Sequence, residues 1–308
     1  MSHSRNFGIQ AYMYQLQQKP MSHLICLNAM LEAANRDSLK EHSIGKVLDT
    51  HMQKRGETMF RGNRLLLFVT LALTLAPGAA AAGDGKFRVE VELGPVWQSR
   101  NDVRIPNETG TEFSLRDIQG FGPFAAGRLT FDYSFNPKHE IRLLYAPLTI
   151  TSDGELDDPV FFAGESFEAG PVKAIYKFNS YRVTYRYRFY HGDRWTWKIG
   201  ITGKIRDAKI ELRDAATSAA DTDLGFVPLV HLDGEYRFAD RWKFLVNMDG
   251  LAAPQGRAFD VSVKTQYDLS QSWALAAGYR MLEGGADVDR LYTFAWLHYA
   301  TGSIAFRF

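Results

Sequence analysis

The segment "HLDGE" places His231, Asp233 and Glu235 at alternate positions. On an extended strand, alternate residues share one face, so an imidazole and two carboxylates would stand together there. Two chemistries suit such a set: proton transfer between imidazole and carboxylate, or ligation of a metal ion. No serine or cysteine nucleophile is placed beside them and no second histidine falls on the same face. The expectation is therefore a histidine held within a network of charges, with no catalytic residue, metal site or cofactor assigned. Two acidic stretches, "SDGELDD" (Asp153, Glu155, Asp157, Asp158) and "LEGGADVDR" (Glu283, Asp287, Asp289), offer oxygen ligands of the kind Ca²⁺ and Mg²⁺ prefer. Neither has the spacing of a dedicated calcium loop, and both read as solvated loop tips.

The elements that position these residues are strands. In "KFRVEVELG", Phe87, Val89, Val91 and Leu93 alternate with Lys86, Arg88, Glu90 and Glu92; "YRVTYRYRFY" alternates in the same way. Period-2 patterning makes a strand with one apolar and one polar face. Ten strands are predicted, at 86–98, 120–133, 139–151, 172–190, 194–213, 226–238, 241–252, 257–269, 272–283 and 291–308. Between them, short turns ("SFNPKH", "YHGDR", "FAD", "DLSQS") alternate with outer connections, three of them long loops at 99–119, 152–171 and 214–225. Trp195, Trp242 and Trp273 each follow directly on a short turn, with Trp197 at the same level. Amphipathic rings gathered at one height make an aromatic girdle at a membrane interface. The fold class expected is all-β: a closed antiparallel transmembrane barrel, ten strands fitting best and eight or twelve being the neighbouring solutions.

Ahead of the strands, "MFRGNRLLLFVTLALTLAPGAAAAGDG" begins at Met59 with a basic start, an apolar middle and a small-residue cleavage site, the order found in a secretory signal peptide. Residues 59–82 are expected to be that signal, 1–58 a mis-assigned upstream extension, and 83–308 the barrel. The barrel segment contains 27 Lys+Arg against 30 Asp+Glu, a formal charge of −3, so no basic nucleic-acid footprint is present. The one cysteine, Cys26, precedes it. An exported segment without cysteine is not held by disulfides.

The chain ends in "YATGSIAFRF". Here it resembles bacterial outer-membrane β-barrel proteins, whose last strand ends in Phe and serves as the signal for the barrel-assembly machinery. The resemblance covers 83–308 in layout and points to the small barrels, the group holding OmpA-like, OmpW-like and omptin-type proteins. It implies an assembly signal at Phe306 and Phe308, insertion by that machinery, and a monomer surrounded by outer-membrane lipid and lipopolysaccharide. Projected onto such a barrel, the polar parity points Arg88, Glu90, Glu92, Arg142, Arg182, Arg186, Arg188, His231, Asp233, Glu235 and Arg237 inward. Arg128, Asp132, Lys204, Asp249, Asp260, Lys264 and Arg280 follow the same parity. A ten-stranded interior has little spare room, so these charges are expected to form a plug. The role that follows is structural or one of surface interaction; a narrow anion-preferring conduit and an enzyme acting on lipid A or peptides are the alternatives.

His298 stands apart. Counting back by twos from Phe308 puts it on the lipid side, where an ionisable group is expensive. A bulge near Gly302 that turns it inward is the expectation. Lipid A deacylases carry an outward His beside a Ser, which is similar, yet "LHYATGS" lacks their compact His-x-Ser pairing.

Overall fold

The computed structural model describes residues 85–308. The expected signal at 59–82 and the stretch 1–58 lie outside the described residues. In chain order the elements are β1 (Phe87–Arg104), β2 (Phe113–Ser114), α1 (Leu115–Gln119), β3 (Phe124–Asn136), β4 (His139–Ala146), β5 (Thr149–Leu156), β6 (Val160–Phe162), β7 (Glu165–Phe167), β8 (Gly170–His191), β9 (Trp195–Arg213), β10 (Ser218–Ala239), β11 (Trp242–Ala253), β12 (Gly256–Asp268), β13 (Trp273–Val288) and β14 (Leu291–Arg307). Ten of them form the wall in the order β1-β3-β4-β8-β9-β10-β11-β12-β13-β14. β14 pairs back onto β1, and β5 prolongs the β4 position along β8. Every pairing in the wall is antiparallel. Closure is completed at the chain end, where the Phe87 and Phe308 backbones exchange two hydrogen bonds of 3.0 Å. Near the turns the closed wall leaves no strand edge unsatisfied, which a membrane requires, whereas towards the loop end β10 is paired on one side only.

Short turns lie at one end, and longer hairpins at the other, the layout of outer-membrane barrels whose turns face the periplasm. Near the turn end the outward face is apolar: Val183, Ile199, Ile201, Phe244, Val263, Leu275 and Ile304 are all exposed. The inward face is polar. The chain is thus a β-barrel of the outer-membrane kind, apolar towards lipid.

Towards the loop end this polarity inverts. On β8 the inward residues change from Arg186, Thr184 and Arg182 to Tyr176, Ala174 and Val172, all buried. The outward residues change from Val183 and Tyr181 to Asn179, Lys177 and Lys173. On β9 the outward face passes from Ile205 to Asp207, Lys209 and Glu211. The Lys177 ammonium donates to Asp207 at 2.8 Å and holds that carboxyl below its ordinary range. An apolar core fills the loop end instead, built from Val103, Ile105, Leu115, Ile118, Ile150, Phe162, Phe167 and Leu212. α1 seats Leu115 and Ile118 in that core. Gly154 of β5 admits it closely, because a Cβ there would lie 2.1 Å from the Ile118 carbonyl oxygen.

β8 and β9 invert by changing residue type at constant parity, but β1 inverts by changing parity. Its register against β14 shifts between Gln98 and Arg100, so Ser99 is a bulge. Before it Val96 and Gln98 are buried; after it Asn101 and Val103 are. One inserted residue moves every later side chain to the other face, which puts Arg100, Asp102 and Arg104 outside.

Of the long loops predicted, 214–225 is largely strand because β10 begins at Ser218, while 99–119 is taken up in part by β1, which continues to Arg104, by β2 and by α1. "EGGADVDR" likewise belongs to β13 and its turn. These extensions stand beyond the apolar belt, where no lipid enforces the alternation that the sequence reading relied on.

Deleting Ser99 alone takes out only the extra residue and keeps Val103 inside, whereas deleting Ser99 and Arg100 together is expected to turn Asp102 and Arg104 to the inward parity and expel Val103. A buried aliphatic side chain contributes about 1.5–3 kcal/mol, so the loop-end half of the double deletion should be cut rapidly by trypsin while the wild type resists. Equal resistance would show that the bulge does not set the parity.

Candidate functional site

The inward polar residues of the turn-end half meet across the lumen. Asp132 on β3 accepts hydrogen bonds from Arg142 at 2.7 and 3.1 Å and pairs with Arg186 at 2.9 Å. Arg186 is 2 % exposed and also reaches Glu140 at 2.9 Å and Asp233 at 3.4 Å. Glu140 takes Lys198 at 2.8 Å. On the neighbouring strand β1, Glu90 pairs with Arg88 at 2.8 Å and Lys264 at 2.5 Å, and Glu92 with Lys264 at 3.0 Å and Arg280 at 2.9 Å.

A cross-barrel layer caps this set. Asp260 on β12 accepts from Arg128 of β3 at 3.0 Å, Arg182 of β8 at 2.7 Å and Arg280 of β13 at 2.5 Å. Arg182 continues to Asp249 at 2.7 Å. Asp249 in turn takes Thr202 at 2.7 Å and lies 2.7 Å from His231 Nδ1. The layer separates two spaces in the lumen. Below it, a polar cavity of about 540 Å³ opens to the turn end; above it lies a more apolar one of about 400 Å³.

Of the residues the sequence pointed inward, Arg88, Glu90, Glu92, Arg142, Arg182, Arg186, His231 and Asp233 meet in these networks. Glu235 sits nearer the turn end, 3.3 Å from Lys243. Arg188 and Arg237 line the lower cavity but make no ion pair among the described residues. They are corrected from network members to residues of the turn-end mouth, where Arg237 is exposed and Arg188 is half-buried with its Nε unpartnered. The set His231, Asp233 and Glu235 also dissolves. His231 turns to Asp249 across the β10–β11 pair, a register neighbour that spacing within one strand cannot reveal. Among the described residues no group of three His, Cys, Asp or Glu side chains is arranged to hold a metal ion.

The turn-end tryptophans stack on aromatic partners from neighbouring strands: Trp195 on Tyr236 at 4.4 Å, Trp242 near Tyr267 at 4.7 Å and Trp273 near Phe306 at 4.5 Å between ring centroids. Trp197 stacks on Trp195 at 5.7 Å. Phe308 stacks on Phe87 at 5.4 Å and on Phe306 at 5.6 Å, beside the closing hydrogen bonds.

His298 is corrected too. It keeps its outward position, and the bulge expected near Gly302 lies instead on the partner strand at Ser99. That bulge brings Ser99 Oγ to 2.9 Å from His298 Nε2, while Tyr279 Oη lies 2.6 Å from Nδ1 and Trp296 stacks on the ring at 5.6 Å. The sequence reading missed Ser99 and Tyr279, which stand 199 and 19 positions away and meet His298 only through barrel closure and the β13–β14 pair. Above them Arg100 lies over Phe294 at 5.5 Å, and Arg104 lies over Tyr292 at 5.0 Å.

No family model matches the sequence, and neither does any curated protein. Solved structures of similar fold include the outer membrane protease OmpT from Escherichia coli, 8% identical with a TM-score of 0.43 over 74% of this chain and 98% of that one. Neisserial surface protein A is 11% identical with a TM-score of 0.33 over 74% and 99%. The attachment invasion locus protein Ail of Yersinia pestis is 9% identical with a TM-score of 0.32 over 71% and 99%.

Arg186 is the network's most connected cation on the turn-end side. Replacing it with Ala strands parts of Asp132, Glu140 and Asp233, and leaving a buried polar group unsatisfied costs about 1–3 kcal/mol. The expected result is an unfolding free energy lower by that amount, read as a lower midpoint in a urea titration followed by tryptophan fluorescence. An unchanged midpoint would show the lumen to be hydrated enough to replace the guanidinium.

Proposed function

We propose that this barrel does not conduct: it is a closed outer-membrane scaffold whose lumen is blocked by its own charges and whose interactions are made by its outer hairpins and outer wall. The observation that carries this reading is Asp260, one carboxylate tied to arginines from three separate strands. A solute crossing the lumen would have to break those pairs, and uncompensated buried charges cost several kcal/mol each. A monomer in contact with lipopolysaccharide, delivered by the barrel-assembly machinery through Phe306 and Phe308, belongs to the same reading. The backbone contribution of Phe308 to closure supports it.

A second reading is favoured by the outward Ser99–His298 pair: acyl-ester chemistry on a lipid of the outer leaflet. Nε2 is placed to take the serine proton, and a Tyr279 oxygen accepting from Nδ1–H would hold the needed tautomer. A long-chain alkyl fluorophosphonate offered to the folded protein should then label Ser99, and His298→Gln should abolish the label. A wild-type protein that stays unlabelled rules the chemistry out.

Purified protein in planar bilayers is expected to show no stable single-channel steps. A robust anion-selective current whose selectivity is reversed by Arg186→Glu would contradict the plug.

A further inference from the structure

Directly above the cross-barrel layer, one buried cation stands outside the pairing that holds that layer together. Lys204 on β9 is 4 % exposed. It stands opposite Arg182 in the β8–β9 ladder. The carboxylates of the layer are already committed, Asp260 to Arg128, Arg182 and Arg280, and Asp249 to Arg182 and His231. Among the described residues none comes within ion-pair distance of Lys204 Nζ. Its one contact of note is the Phe178 ring, whose centroid lies 4.7 Å from Nζ. An aromatic face attracts an ammonium but does not neutralise it, so the ammonium is left without an anionic partner at the cavity wall.

The space into which Lys204 projects is the upper cavity of about 400 Å³, within the range of roughly 300–1,000 Å³ usual for small-ligand sites. Its walls are largely apolar, with Tyr176, Phe178, Ile210, Leu229 and Leu282 among them. The cavity also has a side opening. β10 pairs with β11 only as far as Val230↔Gly250, and the β11–β12 hairpin closes at Ala253 and Gly256. Between Ser218 and Leu229, β10 is therefore bonded on one side alone, to β9. The hairpin residues Ala253, Gln255 and Arg257 form the low sill of this gap. Beside it Leu224 and Phe226 turn outward, 76 % and 71 % exposed. These two side chains give an apolar approach to the sill that lies above the ionic layer, beside the pairs of Arg290 with Asp221 and Asp223.

We infer that the upper cavity is a binding site for a small amphipathic anion, its acidic group on Lys204 and its apolar body against Phe178, Tyr176 and Leu229, admitted sideways over the β11–β12 hairpin. The site lies wholly above the plug, so binding needs no passage through the barrel.

Octanoate is a suitable probe, with 1-octanol as the same tail without the charge and octylammonium as the opposite charge. Titrated calorimetrically into the full chain in nonionic detergent, octanoate should bind saturably at one site. Lys204→Met, which keeps the volume and removes a buried charge, should weaken octanoate at least tenfold and leave octanol unchanged; Lys204→Gln provides the same comparison with a polar side chain. Leu229→Trp should fill the cavity and abolish both ligands. Octanoate binding that is absent in the wild type, unaffected by both Lys204 variants, or matched by octylammonium would overturn the inference.

Discussion

The constraint on which this structure depends is that each strand must serve two solvents. Near the turns the surroundings are lipid, which cannot hydrogen-bond, so the outward face must be apolar and every backbone group must find a partner in the wall. Beyond the belt the surroundings are water, and the same strand must present polar residues outward and bury apolar ones. β8 and β9 meet this demand by a change of residue type along one face. β1 meets it with a single inserted residue at Ser99. The loop-end half then has an ordinary apolar core around Phe162, Phe167 and Leu212, onto which α1 is packed.

The consequence for the lumen is that its lower half must hold together without hydrophobic burial. Charges do this only when nearly all are matched, because desolvation otherwise outweighs attraction. The pairings of Asp132, Asp260, Glu90 and Glu92 satisfy that condition: Arg88, Arg128, Arg182, Arg186 and Arg280 each bridge two or more carboxylates, Lys264 joins Glu90 to Glu92, and Arg142 serves Asp132. Arginine suits the task because its planar fork donates in several directions at once. Lys204, a compact charge beside an aromatic ring, is out of keeping with this arrangement, and it lies where the polar lower lumen gives way to the apolar upper one.

The parts of the fold legible in the sequence were those that lipid enforces. Alternation in "YRVTYRYRFY" and the turn-then-Trp units located the membrane-facing strands, and simple parity turned Arg182, Arg186 and Asp233 inward. Where water replaces lipid, the signal fails: "SAADTDLG" opens β10 with small and polar residues on both faces, so it reads as a loop. The bulge at Ser99 was invisible for a related reason. The apolar residues Val91 and Val103 share odd parity, and only the position of the membrane edge tells that one faces lipid and the other the core. Partnerships such as His231 with Asp249 and Ser99 with His298 depend on register and closure, which no single strand encodes.

The central claim, that polarity inverts along the long strands β8 and β9, is tested most directly by spin labels at single introduced cysteines, since 83–308 contains none of its own. Labels at the outward positions Val183 and Ile201 should collide with oxygen and be shielded from a water-soluble nickel reagent in bilayers. Labels at the outward positions Lys173 and Thr222 should show the reverse. Nickel accessibility at all four positions would mean that the apolar belt does not lie in lipid, and would contradict the account.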